Sequence, residues 1–133
     1  MLQKLNKNRR GGFTLVEIMI VVAIIALLAA IAVPNFLRAR KRSQATALLE
    51  DLRMVDSAKD QYAIERNKKG NDTITWTDIK PYLKKGSKLE TSAGTQFTLG
   101  NIDTPPKLNP TTTYDEYTDV IPSAAEFWGA YAP

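Results

Sequence analysis

Residues 13–33 read FTLVEIMIVVAIIALLAAIAV, and this apolar run directly follows Gly11 and Gly12. Thr14 and Glu17 are its only polar side chains. A helix of about 21 residues is about 30 Å long, which matches the hydrocarbon thickness of a bilayer. The run therefore predicts a membrane-spanning helix that begins directly after a short basic segment.

Glu17 is the unusual residue of this run. A charged side chain at the centre of a membrane costs about 2.5–3.5 kcal/mol, less near a helix end, and usually faces a partner. Glu17 lies one helical turn from Phe13. Cutting the chain between Gly12 and Phe13 would create an amine that could pair with it. The alternative is a carboxylate that reaches the lipid headgroups and has no specific role.

An ordinary secretory signal is a second interpretation of the run. Ala30-Ile31-Ala32 supplies a small-x-small cleavage site, and a cut there would make Val33 the first residue. The run is longer than the roughly 7–15 apolar residues of such a signal, and an acidic residue is out of place in it. We therefore favour a helix that is processed at its start and then retained.

Composition excludes several classes of chemistry. The chain has no Cys and no His, which removes disulfides, thiolate chemistry, His-dependent triads and the usual zinc sites. Without them an enzyme would need an acid or lysine mechanism, and no catalytic constellation is recognisable. An oxygen-ligated ion such as calcium remains, with Asp115, Glu116 and Asp119 as candidates whose spacing matches no strong motif.

The net charge of +4 comes from the residues before Phe13. Four of the 18 basic residues lie there, and the other 14 equal the number of acidic residues. The remainder of the chain is formally neutral, so nucleic acid binding has no global electrostatic support. Local basic clusters remain, and they comprise Arg38, Arg40, Lys41, Arg42 and the lysines at 84, 85 and 88.

Pro34 marks the change from an apolar to an amphipathic pattern. A proline inside a helix removes one hydrogen bond, so we expect a kink there. Beyond it an apolar stripe at three- and four-residue steps predicts a helix to about Asn67. The stripe comprises Ala45, Leu48, Leu52, Val55 and Tyr62, and the outer face comprises Glu50, Asp51, Arg53, Asp56, Lys59, Asp60 and Arg66.

The remaining residues predict a small α+β region. We expect Gly70 to cap the long helix and Thr77 to begin a short helix over 77–83. The alternation at 96–99 before Gly100 predicts a strand, and a second strand would include Ile102 or Leu108. With no disulfide available, the aromatic side chains must supply the packing, and these are Trp76, Phe97, Phe127 and Trp128.

Four segments follow from these patterns. We predict a removable basic leader (1–12), a transmembrane or filament-core helix (13–33), its amphipathic continuation (34–67) and a small C-terminal globular region (68–133). The predicted fold class is α+β, with the long helix packed against a short helix and a small antiparallel sheet.

The sequence Gly-Phe-Thr-Leu-Val-Glu after a basic leader, followed by a run ending Ala-Ile-Ala-Val-Pro, resembles the N-terminal segment of type IV pilins and type II secretion pseudopilins. The resemblance covers about residues 9–40. It implies cleavage after Gly12 by a prepilin peptidase, N-methylation of Phe13 and assembly into a helical filament. It also implies that Glu17 pairs with the terminal amine of a neighbouring subunit, and that order near Pro34 can be lost within the filament.

Localisation and partners follow from the same resemblance. It implies a single-pass subunit of the bacterial inner membrane with a cytoplasmic N-terminus, later extracted by an assembly platform into a pilus or periplasmic filament. The charge pattern alone leaves orientation undecided, because equal basic clusters flank the run. A pilus subunit is the leading interpretation and a secretion pseudopilin the alternative, with a DNA-uptake pilin and a membrane-anchored enzyme behind them.

Overall fold

The chain forms two units, and the boundary between them falls between Leu37 and Arg38. The structure is a computed structural model that describes residues 11–90, 96–109, 115–121 and 123–133. Most of the predicted leader, residues 1–10, lies outside the described residues. Each unit is built on part of the same helix.

That helix, α1 (Leu15–Arg66), contains 52 residues. Pro34 lies inside it, so the helix continues past the proline; the kink stays a prediction. The amphipathic prediction for the second half is confirmed, because Ala45, Leu52 and Val55 are fully buried. These residues recur at helical spacing and form one apolar face within the second unit.

Asn67, rather than Gly70, caps the end of α1. Asn67 has a φ of +50°, and the Lys68 N–H donates to Ala63 O at 3.0 Å. This is the Schellman arrangement, in which asparagine is one of the few residues that tolerate the left-handed conformation. Gly70 instead lets the Asp103 side chain approach the backbone closely, since an added Cβ would lie 1.6 Å from the Asp103 carboxylate.

The short helix α2 (Trp76–Ile79) is capped by Thr75, not by Thr77 as predicted. The Asp78 carboxylate accepts hydrogen bonds from the Thr75 N–H at 2.9 Å and from the Thr75 hydroxyl at 2.5 Å. Thr75 and Thr77 offer alternative caps, and Asp78, three residues after Thr75, selects Thr75. A 3-10 turn at Lys80–Tyr82 follows, with its proline near the start.

A two-stranded antiparallel sheet completes the α+β fold. Strand β1 (Phe97–Thr98) pairs with β2 (Lys107–Leu108), and Phe97 lies opposite Leu108. The strand predicted at 96–99 is therefore confirmed, and Leu108 is the correct choice for its partner. Ile102 lies in the turn between the strands. Further elements of the described residues include a 3-10 turn at Asp115–Tyr117, helix α3 (Ala124–Trp128) and a 3-10 turn at Gly129–Tyr131.

One apolar core lies in the second unit. It joins the stripe of α1 to side chains from α2, the sheet and α3, including Leu52, Val55, Ile79, Phe97, Leu108 and Trp128. Trp128 is only 1% exposed and makes edge-to-face contacts with Tyr117 and Phe127. Phe97 is buried as well, while Trp76 and Phe127 pack partly buried against the core. The predicted aromatic packing is thus confirmed.

Candidate functional site

A reciprocal pair between Thr14 and Glu17 closes the N-terminus of α1. The Thr14 N–H donates to Glu17 Oε2 at 2.7 Å, and the Thr14 hydroxyl donates to the same oxygen at 2.8 Å. The Glu17 N–H in turn donates to Thr14 Oγ1 at 3.2 Å. This is a capping box, and its Thr-x-x-Glu spacing signals it in the sequence. Glu17 therefore has a partner within its own chain besides the predicted amine.

The predicted cleavage point lies in exposed backbone before α1. Residues 11–14 have no regular secondary structure and are exposed, and Phe13 is 86% exposed. A Cβ added at Gly11 or Gly12 would meet no atom within 4 Å. Exposed, irregular backbone is the preferred substrate of proteases. The geometry suits the predicted cut between Gly12 and Phe13.

The apolar side chains of the first unit are uncovered. Leu15, Leu27 and Ile31 are 78%, 65% and 62% exposed. The described residues contain one helix long and apolar enough to cross a membrane, and none of its apolar window is buried. A contiguous apolar surface of this kind marks contact with a membrane or with other protein chains.

Two members of the basic cluster after the apolar run are engaged within the second unit. Lys41 Nζ lies 2.8 Å from Asp119 Oδ2 and 3.5 Å from Glu116 O. The Arg42 Nε–H donates to Val120 O at 3.0 Å. These contacts fasten the 115–121 segment to α1. They also commit both cations to partners within the chain, which further weakens the nucleic acid interpretation.

The calcium candidates Asp115, Glu116 and Asp119 do not form a carboxylate cluster. Within the described ranges no group of three or more His, Cys, Asp or Glu side chains could hold a metal ion. The Lys41 ammonium lies beside Asp119 instead. Calcium binding by this segment stays a prediction, and any ion would compete with a cation that the chain itself supplies.

The Lys41 contact predicts a pH response of the 115–121 segment. The hydrogen bond from Lys41 lowers the pKa of Asp119 below its usual 3.8. Because the folded pKa is depressed, the stabilisation is fully present above the unfolded pKa and is lost as the pH falls through the folded value. We expect Lys41→Met to raise the pKa of Asp119 in a carboxyl NMR titration. An unchanged pKa in that variant would contradict the pairing.

Lys59 is buried, although its charge placed it on the predicted outer face of α1. Its relative exposure is 0%. Lys59 Nζ donates to Leu99 O and to Asn101 O, both at 2.9 Å, and to Thr104 O. Burial lowers the pKa of Lys59, while the neighbouring carboxylates of Asp56 and Asp60 act in the opposite direction. The outer-face prediction is wrong for this residue.

The sequence does contain a signal for the buried position. Lys59 follows Leu52 by seven residues, as Leu52 follows Ala45. Seven residues are close to two helical turns, so the three side chains lie on one face. Helical spacing therefore places Lys59 at the centre of the buried stripe, and only residue type argued against it.

Comparison with known proteins agrees with the N-terminal geometry. The family model of the prokaryotic N-terminal methylation motif matches residues 7–33. This range contains the Gly12–Phe13 bond, the Thr14–Glu17 capping box and the uncovered apolar run. No solved structure matches the chain.

Curated relatives extend the similarity into the second half of α1. The chain is 36% identical over 95 residues to type IV major fimbrial protein FimA of Dichelobacter nodosus, covering 69% of this chain and 56% of that protein. It is 46% identical over 56 residues to type IV wide pilus major component PilA4 of Thermus thermophilus, covering 42% and 43%. It is 31% identical over 64 residues to type II secretion system core protein G of Aeromonas hydrophila, covering 48% and 45%.

These alignments span between 43% and 56% of the relatives' own lengths. They agree with the methylation motif in pointing to the same group of proteins. The chain carries the prokaryotic N-terminal methylation motif and is similar to type IV pilins and to a type II secretion pseudopilin.

Proposed function

We propose that the chain is a prepilin that is cleaved after Gly12, N-methylated at Phe13 and assembled as a structural subunit of a type IV pilus-like filament. The observation that carries this proposal is the division of α1. Its first part exposes an apolar surface that no described residue covers, while its second part is packed into the core of the second unit. A folded unit carried on an uncovered apolar helix suits a subunit whose helix passes from lipid to protein contacts.

The proposed route begins in the bacterial inner membrane. The apolar helix crosses the membrane once, with the leader in the cytoplasm, where prepilin peptidase acts on it. An inner-membrane assembly platform then transfers the subunit into the filament. The partners of the mature chain are copies of itself, and its role is structural rather than enzymatic.

Glu17 gains a second partner on this route. In the single chain its carboxylate accepts from the Thr14 N–H and hydroxyl. In the filament we propose that it also pairs with the methylated Phe13 amine of a neighbouring subunit. Methylation leaves that amine cationic. The Glu17 carboxylate and the amine therefore neutralise each other in an apolar environment. This pairing would fix the axial register between subunits.

A type II secretion pseudopilin is the second candidate function. The similarity to core protein G of Aeromonas hydrophila, 31% identical over 64 residues, supports it. Electron microscopy of cells that express the chain separates the candidates. Long surface filaments favour the pilus subunit, whereas a deletion strain that loses protein secretion without losing filaments favours the pseudopilin.

Replacing Gly12 tests the first step of the route. We expect Gly12→Leu to block cleavage, because a bulky side chain directly before the cut cannot enter a site shaped for glycine. The full-length precursor should accumulate in membranes, detected on a gel and by intact mass. The unmodified chain should yield a mature form that begins with methylated Phe13.

Gly11→Ala is the matched control for this variant. An added side chain meets no atom within 4 Å at either glycine, so neither substitution disturbs the fold. Normal processing of Gly11→Ala beside blocked Gly12→Leu would locate the recognition at Gly12. A mature chain that begins at Val33 would instead indicate ordinary secretion and contradict the proposal.

A further inference from the structure

One loop surrounds the buried ammonium of Lys59. This loop, residues 99–104, lies between β1 and β2, and we call it the 99–104 loop. Its carbonyls at Leu99, Asn101 and Thr104 all accept from Lys59 Nζ. A lysine ammonium has three N–H donors and no acceptor. Each donor therefore has one carbonyl, and the hydrogen-bonding capacity of the ammonium is filled.

The backbone of the 99–104 loop is shaped to aim these carbonyls at one point. Gly100 has a φ of +64°, a conformation that side-chain-bearing residues rarely adopt. A Cβ at this position would lie 2.3 Å from Thr104 Oγ1. The Thr104 hydroxyl donates to Asn101 O at 2.9 Å and accepts from the Asn101 N–H at 2.8 Å. The loop is thus closed on itself around the ammonium.

The loop is also fixed from its outer side. The Ile102 N–H donates to Asp72 O at 3.3 Å, and the Asp103 N–H donates to Gly70 O at 3.1 Å. These bonds hold the loop against the segment that follows α1, while Lys59 holds it against α1 itself. The three carbonyls are therefore positioned by contacts that do not involve the lysine.

Converging main-chain carbonyls are the ligands that proteins use for bare cations. Three carbonyl oxygens that face one point repel one another unless a cation or a hydrogen-bond donor lies between them, and a buried carbonyl without a donor costs free energy. Asp56 and Asp60 lie near enough to Lys59 to favour its charged form. The surroundings thus match a positive charge that can donate several hydrogen bonds.

We propose that the 99–104 loop is a binding site for a primary ammonium group, which Lys59 occupies in this chain. The site requires both the positive charge and the N–H donors of its ligand. By supplying this ligand from α1, the chain orders the connection between its two strands and locks it to the helix.

Chemical replacement of the Lys59 side chain tests both requirements. The chain contains no cysteine, so Lys59→Cys introduces a single alkylation site that can be modified in the unfolded protein. Its thiolate displaces bromide from 2-bromoethylamine and regains a primary ammonium at lysine length. The reagent (2-bromoethyl)trimethylammonium supplies the same charge without N–H donors, and iodoacetamide supplies a neutral amide.

The readout is the thermal midpoint of the full chain in detergent, followed by tryptophan fluorescence. Both tryptophans, Trp76 and Trp128, lie in the second unit. We expect the aminoethyl adduct to unfold within about 2 °C of the unmodified chain, and the other two adducts at least about 8 °C lower. The same adducts on Lys85→Cys, at an exposed position, should share one midpoint.

The outcomes are decisive in both directions. Refolding of the aminoethyl adduct alone would support the proposal even if the other adducts fail to fold. Equal midpoints for the three adducts at position 59, or full recovery by the trimethylammonium adduct, would overturn it. Failure of the aminoethyl adduct to refold, beside normal refolding of the Lys85→Cys adducts, would overturn it as well.

Discussion

Glu17→Ala is expected to abolish filament assembly while leaving membrane insertion and cleavage after Gly12 intact. Without the carboxylate, each subunit buries the cationic Phe13 amine of its neighbour with no counter-charge. An uncompensated buried charge costs about 3–5 kcal/mol, and each 1.4 kcal/mol is about a tenfold change in an equilibrium constant. The loss recurs at every subunit contact, so filaments should be absent by electron microscopy although mature subunit is present in the membrane.

The capping box supplies the control that separates two roles of Glu17. Thr14→Ala removes the hydroxyl that exchanges hydrogen bonds with Glu17 but leaves the carboxylate in place. We expect it to weaken the first turn of α1 by about 0.5–2 kcal/mol and to preserve filaments. Glu17→Gln keeps the size and an acceptor but removes the charge, and we expect it to fail in assembly like Glu17→Ala.

Two results would contradict the register role. Normal filaments from Glu17→Ala would show that the amine needs no carboxylate partner. Equal loss of filaments from Thr14→Ala and Glu17→Ala would show that Glu17 acts by closing its own helix. Precursor accumulation in the Glu17→Ala strain would instead place the defect at cleavage, before assembly.

The features that could be predicted from the sequence are those carried by many residues at once. The long helix follows from an apolar run joined to a stripe with helical spacing, and its end was predicted within one residue of Arg66. The sheet followed from the alternation around Phe97 and the glycine after it. Each of these patterns sums several weak preferences, so no single residue decides them.

Each feature that was wrongly predicted depends on a single residue: which of two similar residues caps a helix, or whether one charged residue is buried. Thr75 and Thr77 are equally suited to begin α2, and Asn67 and Gly70 are both suited to end α1. Side-chain contacts decide between them: the local contact with Asp78 selects Thr75, and the long-range approach of Asp103 gives Gly70 another role. Lys59 is the extreme case, because its burial depends on a loop 40 residues away in the chain.

Trp128→Ala is expected to unfold the second unit or bring it close to unfolding. Replacing a buried Trp by Ala typically costs about 3–5 kcal/mol, against a total stability of about 5–15 kcal/mol for a domain. Trp128 is 1% exposed, and its ring lies 4.9 Å from Phe127 and 6.3 Å from Tyr117. The chain has no disulfide to limit the loss. Denaturant unfolding of the full chain in detergent, followed by circular dichroism, measures the effect.

Trp128→Phe tests whether packing is the source of this stability. Within the part of the chain that the structure describes, the Trp128 indole N–H is buried without a hydrogen-bond partner, so phenylalanine keeps much of the aromatic contact and removes an unsatisfied donor. We expect a loss of about 1–2 kcal/mol, clearly smaller than that of Trp128→Ala. Equal losses in both variants would contradict the packing account. Gly12 and Phe13 belong to the first unit, so we expect both Trp128 variants to be cleaved normally. A Trp128→Ala chain that is cleaved but forms no filaments would show that assembly also requires a folded second unit.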